Sequence, residues 1–293
     1  KVGSLCPGPH SGFGCCRSNF HFAWPKFVQS LWMQTADGGL AATAYGPCTV
    51  TAVAGGTQVT VEETGSYPFG PDVKLTFRAG AATFPLKLRI PGWCRAPRVT
   101  VNGAAVADVK PGSFCTVARA WKPGDEVALH FPMEVTVSGG WDRDAAVVTR
   151  GPLLYALKLA YEDKVVESYE VPFEKRTAGD LNGFPRREIR AAEPWNHALV
   201  LNARGGIDAE VVTREIPLHP FDPAAAPVSL KVKTFRSDFG GWGHTRDILT
   251  ARAVEPPPSP IAIEGDVQTR ELVPMGATQV RIVLFPWARE SDK

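Results

Sequence analysis

A long succession of short β-rich segments separated by turn residues is the feature that most constrains the fold of this chain. Between residues 40 and 139, nine runs of alternating or β-branched residues follow one another, at a spacing of roughly ten residues. Turn signals such as Gly55–Gly56, Asn102–Gly103 and Pro123–Gly124 lie between the runs. Because parallel strands need long helical crossovers, this pattern favours an antiparallel β-sandwich. It also predicts a hairpin turned at Asn102–Gly103.

A second strand-rich block follows a Gly-rich boundary at residues 138–140. We predict two strands in 146–159, broken at Gly151–Pro152, and a long, polar and irregular loop or excursion over 161–195. Further strands are predicted over 197–203, 208–216, 228–236, 248–254 and 278–286.

The only predicted helix lies before the first strand, at residues 18–35, where apolar residues recur at helical spacing. Pro25 either marks the true start of this helix or bends it. The predicted domains are therefore 1–39 (a loop and the helix), 40–141 (a first β-sandwich) and 142–293 (a second).

Composition excludes several classes of protein. The chain has 293 residues, 44% of them hydrophobic, which excludes a wholly disordered chain. Its net charge of +2 gives no indication of a nucleic-acid partner, and it has no run of about 18 apolar residues that could span a membrane. Since the chain begins at Lys1 and not at Met, we expect upstream residues to be missing, and both a bacterial cytoplasmic and a periplasmic location stay open.

Two adjacent cysteines, Cys15 and Cys16, are candidates for chemistry. Neighbouring cysteines pair poorly with each other, whereas both can bind one metal ion or one can act as a nucleophile. A thiol just before a helix has its pKa lowered by the helix N-terminus. Zinc needs four ligands, and Cys6 and His10 upstream do not give a standard zinc spacing. The alternative is that these are incidental buried thiols, as we expect for Cys48, Cys94 and Cys115.

The sequence contains weaker evidence for residues that cleave or bind carbohydrates than for the two cysteines. Glu62 and Glu63 lie on a predicted strand and must face opposite sides, so they cannot act as a catalytic pair. Several tryptophans could stack on sugars or fill the core: Trp93, Trp121, Trp141, Trp195 and Trp242.

Several segments, in order along nearly the whole chain, resemble glycoside hydrolase family 127, the β-L-arabinofuranosidases. They are FGCCRSNFHFAWPKFVQSLWMQTADGGLAATAYGPCTV, ETGSYPFGPDVKLTF, FPLKLRIPGWCRAPRVTVNG, RGPLLYAL and ELVPMGATQVRIVLFP. The resemblance implies a mainly β chain: two tandem antiparallel β-sandwich domains preceded by the terminal helix of an otherwise missing (α/α)6 barrel.

The resemblance also implies a chemistry. Cys15 matches the nucleophile of a retaining hydrolase and also a zinc ligand, and Cys16 matches a second zinc ligand. The other two ligands, a glutamate and a cysteine, and the acid/base glutamate have no counterpart before Cys15. The implied substrates are β-L-arabinofuranosides or related plant-wall oligosaccharides.

A second function stays open, in which the chain is instead a non-catalytic carbohydrate-binding or scaffolding β-sandwich protein. In either case Phe20, Trp24, Phe27 and Trp32 on helix 18–35 need a cover. Without the missing barrel, we expect the chain to self-associate through this helix.

Overall fold

A computed structural model describes residues 14–165, 187–237, 243–245, 253–263 and 265–289. The chain divides into two compact units. The first holds Ser18–Glu134 and Arg150–Leu153, and the second holds the remaining described residues.

The chain up to residue 134 contains one helix and ten strands. They are α1 (Gly14–Gln29), β1 (Trp32–Gln34), β2 (Leu40–Ala42), β3 (Cys48–Ala54), β4 (Thr57–Gly65), β5 (Asp72–Ala79), β6 (Ala82–Arg89), β7 (Arg98–Val101), β8 (Ala104–Ala105), β9 (Phe114–Trp121) and β10 (Glu126–His130).

Two sheets form the first unit. One has the order β1-β2-β6-β9 and the other β3-β4-β5-β10-β7-β8. All pairings are antiparallel except the parallel pair β2 and β6. Inward-facing residues of both sheets belong to one hydrophobic core, as alternation along each strand requires. In β4, for example, Val59, Val61 and Glu63 are the buried positions.

The hairpin at Asn102–Gly103 is confirmed. Val101 pairs with Ala104 across the turn, and both turn residues have positive φ, 48° and 82°. Asn and Gly are the residues that adopt this conformation most readily, so the two-residue turn follows directly from the sequence.

The helix lies earlier than predicted. It covers Gly14–Gln29, with Pro25 in its interior, whereas the prediction was 18–35. Residues 32–34 instead form strand β1, which pairs with β2. The reason is tertiary: Leu31 and Trp32 are each only 7% exposed because they enter the sandwich core.

The chain from residue 135 contains twelve strands among the described residues. They are β11 (Val135–Ser138), β12 (Val147–Arg150), β13 (Leu153–Leu157), β14 (Tyr161–Val165), β15 (Arg187–Ala191), β16 (His197–Leu201), β17 (Ala209–Thr213), β18 (Val228–Arg236), β19 (Gly243–Thr245), β20 (Ala253–Glu255), β21 (Val267–Pro274) and β22 (Trp287–Arg289).

An eight-stranded sheet dominates the second unit, in the order β11-β12-β13-β21-β18-β16-β22. Strand β17 also pairs with β18, along the first half of β18, while β16 pairs with its last residues. The pair β16 and β22 is parallel. The mainly β fold class is thus confirmed, and the domain boundaries 1–39, 40–141 and 142–293 stay predictions.

Two predictions in this part were wrong. Residues 161–195 are not all loop, since β14 and β15 pair as an antiparallel ribbon. Residues 278–286 do not form a strand. Phe285 makes a single bridge to Ala146, and the place between β13 and β18 is taken by β21. Most of the predicted strand 248–254 lies outside the described residues.

Candidate functional site

Helix α1 carries the two cysteines predicted to do chemistry. The helix begins at Gly14, so Cys15 and Cys16 lie within its first turn and not just before it. Their side chains are outside the described part of the structure. The first turn of a helix has unpaired backbone N–H groups and the positive end of the helix dipole, both of which favour a thiolate.

The two cysteines are suitable donors for a zinc ion, but they supply too few ligands. Two adjacent thiolates are suitable zinc ligands, and a tetrahedral site needs two more. Within the described ranges, no cluster of three or more His, Cys, Asp or Glu side chains could hold a metal ion. The assignment of zinc to Cys15 and Cys16 therefore stays a prediction.

The rest of helix α1 exposes large apolar side chains. Phe22, Trp24, Phe27 and Val28 are 61%, 70%, 49% and 46% exposed, respectively, and the rings of Trp24 and Phe27 lie 5.8 Å apart. Trp32 was predicted on this same face, which was wrong, because it is buried in the sandwich. The exposed face is thus shorter than expected and ends before Leu31.

A buried carboxylate, Glu63, ties the segment after α1 to the first sandwich. Trp32 Nε1 donates a hydrogen bond of 2.9 Å to Glu63 Oε2. The backbone N–H of Gly46 donates one of 2.7 Å to Oε1. These bonds join β1, the loop after β2 and strand β4, so they fix the point at which the helix leads into the sandwich.

Burial decides the protonation of Glu63. Glu63 is 2% exposed, and desolvation raises its pKa to about 7 despite the opposing hydrogen bonds from Trp32 and Gly46. The neighbouring Cys48 thiol has its pKa raised to about 11, first by burial and then by Glu63. Glu62 faces the other side of the strand and pairs with Arg78, so the prediction that Glu62 and Glu63 cannot form a catalytic pair is confirmed.

The tryptophans divide between core and surface. Trp121 is buried and stacks on Phe77 at 4.6 Å. Trp93 is half-buried against Phe131, Trp195 is half-buried, and Trp141 is 55% exposed. Trp242 lies outside the described residues. Among the four that the structure describes, Trp141 has the ring surface best able to stack on a sugar.

The sequence predicted that Cys48, Cys94 and Cys115 are buried thiols, and the structure confirms this for two of the three. Cys94 and Cys115 are buried, while Cys48 is half-buried.

An open cleft of about 660 Å³ in the second unit was not predicted from the sequence. Four of its charged side chains form ion pairs: Arg270 pairs with Glu193 at 2.6 Å, and Lys158 with Glu271 at 2.7 Å. The carboxylate of Asp222 also lines the cleft. These residues are far apart along the chain and belong to no motif, so no sequence signal could have assembled them.

Residues 39–133 match the family model described as the middle domain of β-L-arabinofuranosidases of glycoside hydrolase family 127. No curated protein matches the chain at a significant level. No helix in the described part of the chain is long and apolar enough to cross a membrane.

Solved structures share the fold. A family 127 β-L-arabinofuranosidase from Geobacillus stearothermophilus T6 superposes with a TM-score of 0.60 at 22% identity, over 95% of this chain and 38% of that one. A second structure, described as a glycoside hydrolase, superposes with a TM-score of 0.63 at 21% identity, over 97% of this chain and 42% of that one. A family 127 β-arabinofuranosidase gives 0.61 at 18% identity, over 95% and 40%.

This chain therefore spans about two fifths of the length of the solved structures it matches. The family match begins directly after β1 and ends before β11, so it covers the strands of the first sandwich from β2 onward. Residues 39–133 of this chain therefore resemble the middle domain of glycoside hydrolase family 127, and the solved structures share the fold of the chain.

Proposed function

We propose that this chain is the C-terminal part of a retaining glycoside hydrolase that acts on β-L-arabinofuranosides or related plant-wall glycans. Cys15 is the nucleophile, and Cys15 and Cys16 together hold zinc. The observation that carries the proposal is the position of both cysteines in the first turn of α1, a helix that leads directly into the family 127 middle domain.

The reaction that Cys15 would perform is a double displacement. Its sulfur attacks the anomeric carbon as the glycosidic bond breaks, and the departing oxygen takes a proton from an acid outside the described residues. Water then attacks the same carbon and gives a proton to the conjugate base of that acid, the carbon–sulfur bond breaks and the thiolate is restored. When bound, zinc keeps the sulfur deprotonated at neutral pH.

The first sandwich supports this reaction by anchoring the chain that directly follows the helix. Hydrogen bonds from Trp32 and Gly46 to Glu63 fix the residues just after α1. A nucleophile must be held within a fraction of an ångström of its productive position. In this proposal the sandwich positions the helix and does not contact the sugar.

Hydrolysis of 4-nitrophenyl β-L-arabinofuranoside by the whole enzyme, of which this chain is proposed to be the C-terminal part, tests the proposal, with zinc quantified in the same sample. We expect Cys15→Ala to lower kcat by roughly 10³-fold or more and Cys16→Ala to lower the zinc content. Cys115→Ala is the matched control, since that thiol is buried in the sandwich core, and it should leave both unchanged. Turnover that survives Cys15→Ala would refute the assignment of the nucleophile.

The alternative is a non-catalytic carbohydrate-binding or scaffolding β-sandwich protein. The exposed ring of Trp141 is the observation that favours it. It predicts no turnover and no bound zinc in the wild-type protein, together with retention on an arabinan column that Trp141→Ala abolishes.

A further inference from the structure

Arg150 is a buried cation at the end of strand β12, within the first unit. The residue is only 8% exposed. Arginine stays protonated at every pH at which proteins fold, so burial cannot neutralise it as it neutralises a carboxyl. A guanidinium in this position therefore needs partners.

Among the described residues, hydrogen-bond acceptors reach only Nη1 of the guanidinium. Nη1 donates a hydrogen bond of 3.0 Å to the carbonyl oxygen of Phe69 and lies 3.6 Å from Met133 Sδ. Nε is fully buried and has no hydrogen-bond partner in the described structure. Nη2 makes no hydrogen bond to the described residues and, unlike Nε, is not fully buried.

No carboxylate in the described ranges forms an ion pair with Arg150. Glu134 follows Met133 in the chain, but it pairs with Arg95 at 3.5 Å. Leaving a buried charge without a counter-charge is among the most destabilising arrangements in proteins. The guanidinium is therefore suited to an anion that the described residues do not supply.

The local backbone holds Arg150 in this place. Gly151 has a φ of +58°, and a Cβ there would lie 2.9 Å from both Cγ and Sδ of Met133. The glycine thus lets Met133 pack across the chain beside the guanidinium. The Phe69 carbonyl and Met133 thus hold one end of the guanidinium in this place.

We propose that Arg150 is a carboxylate-binding site, in which Nε–H and Nη2–H each donate to one oxygen of the bound group. These two donors form one edge of the planar guanidinium, and a carboxylate matches the spacing of such an edge with two parallel hydrogen bonds. The carboxylate comes either from an acidic side chain of this protein or from a small acid such as a sugar acid. This site is independent of the proposed action of Cys15.

The Nε–Hε signal of Arg150 in a ¹⁵N-labelled sample of the whole chain tests the proposal. Its loss in Arg150→Lys assigns it, and Arg150→Gln gives a second assignment. Arg98→Lys is the matched control, because Arg98 is an exposed arginine of the same sandwich. The probe is sodium acetate, titrated against sodium chloride at equal ionic strength.

A signal that moves with acetate but not with chloride shows that a free carboxylate binds. In that case acetate should raise the Tm of the wild-type protein. Arg150→Lys should increase the acetate concentration that gives half of this rise by at least about tenfold, and Arg98→Lys should leave that concentration unchanged. A signal that ignores acetate but shifts with a midpoint between about pH 3 and 5 shows that a carboxylate of the protein already occupies the site. A signal that responds to neither acetate nor pH overturns the proposal.

Discussion

At the scale of single residues, the buried carboxyl of Glu63 should make stability depend on pH. Its pKa is about 7 in the folded protein against an ordinary value of 4.5, so the folded state binds the proton more tightly than the unfolded state. The stabilisation is complete below pH 4.5 and is lost as pH rises to 7, by on the order of 3 kcal/mol. Urea unfolding followed by tryptophan fluorescence measures the change.

The matched pair Glu63→Gln and Glu62→Gln isolates this effect. Glu63→Gln should flatten the fall in stability between pH 4.5 and 7, because the amide does not titrate. Glu62→Gln lies on the exposed side of the same strand and should keep the wild-type slope. Equal slopes in both variants would contradict a titrating Glu63.

A second prediction at this scale concerns Gly39, which precedes β2. A Cβ on Gly39 would lie 2.1 Å from the carbonyl oxygen of Pro85, a backbone atom that cannot move away cheaply, whereas a Cβ on Gly46 meets nothing within 4 Å. Gly39→Ala should therefore destabilise the protein by about 3 kcal/mol or more, and Gly46→Ala by less than about 0.5 kcal/mol. Thermal unfolding of the two variants compares them directly, and equal Tm values would contradict the expected clash.

At the scale of elements, the exposed face of α1 should drive self-association. Trp24 and Phe27 lie in contact on a surface that no described side chain covers, and apolar patches of this kind mark interaction sites. The chain should form dimers or larger species at high concentration, and the double variant Trp24→Ser, Phe27→Ser should be monomeric. Light scattering distinguishes them, and Phe114→Ser, another exposed aromatic, is the control. A wild-type monomer at high concentration would refute this interface.

The elements also show what the sequence could predict. Alternation of side chains marked the strands of the first sandwich, and Asn102–Gly103 marked its hairpin, because both signals are local. The end of the helix was not predictable in this way, since Leu31 and Trp32 continue the helical spacing of apolar residues. Contacts with distant residues make Trp32 part of the sandwich: it pairs with Ala42, lies in the hydrophobic core and donates a hydrogen bond to Glu63.

The same physical reason accounts for the errors later in the chain. The apolar run at 278–286 has the composition of a strand, but β21 already fills the place between β13 and β18. The strand Val267–Pro274 is polar in its first half and gave little signal. Which of two segments pairs into a sheet depends on the tertiary structure and cannot be read from either segment alone.

At the scale of the whole molecule, the candidate site is also a non-local feature. Adjacent thiols at a helix start were visible in the sequence, but a four-ligand zinc site needs residues brought together from elsewhere. The matched hydrolases are about two and a half times as long as this chain. The sequence could therefore name Cys15 and Cys16 and could not assemble the rest of their site.

The extent of the first folding unit leads to a last prediction. The family match begins at residue 39, yet Leu31 and Trp32 belong to the core of the first sandwich. Burial of each side chain contributes about 1.5–3 kcal/mol, and Trp32 also supplies a hydrogen bond to Glu63. A fragment of residues 39–134 should thus be roughly 3–6 kcal/mol less stable than one of residues 30–134.

Urea unfolding of the two fragments measures the difference, and Trp32→Phe in the longer fragment separates the two contributions. This variant keeps most of the burial and removes the donor to Glu63, so it should lose about 1–3 kcal/mol, less than the truncation does. Equal stability of the two fragments would mean that β1 is dispensable and that the sandwich begins where the family match begins. The expected order, with residues 30–134 most stable and 39–134 least, would instead make the Trp32–Glu63 bond the physical boundary between the cysteine-bearing helix and the domain that supports it.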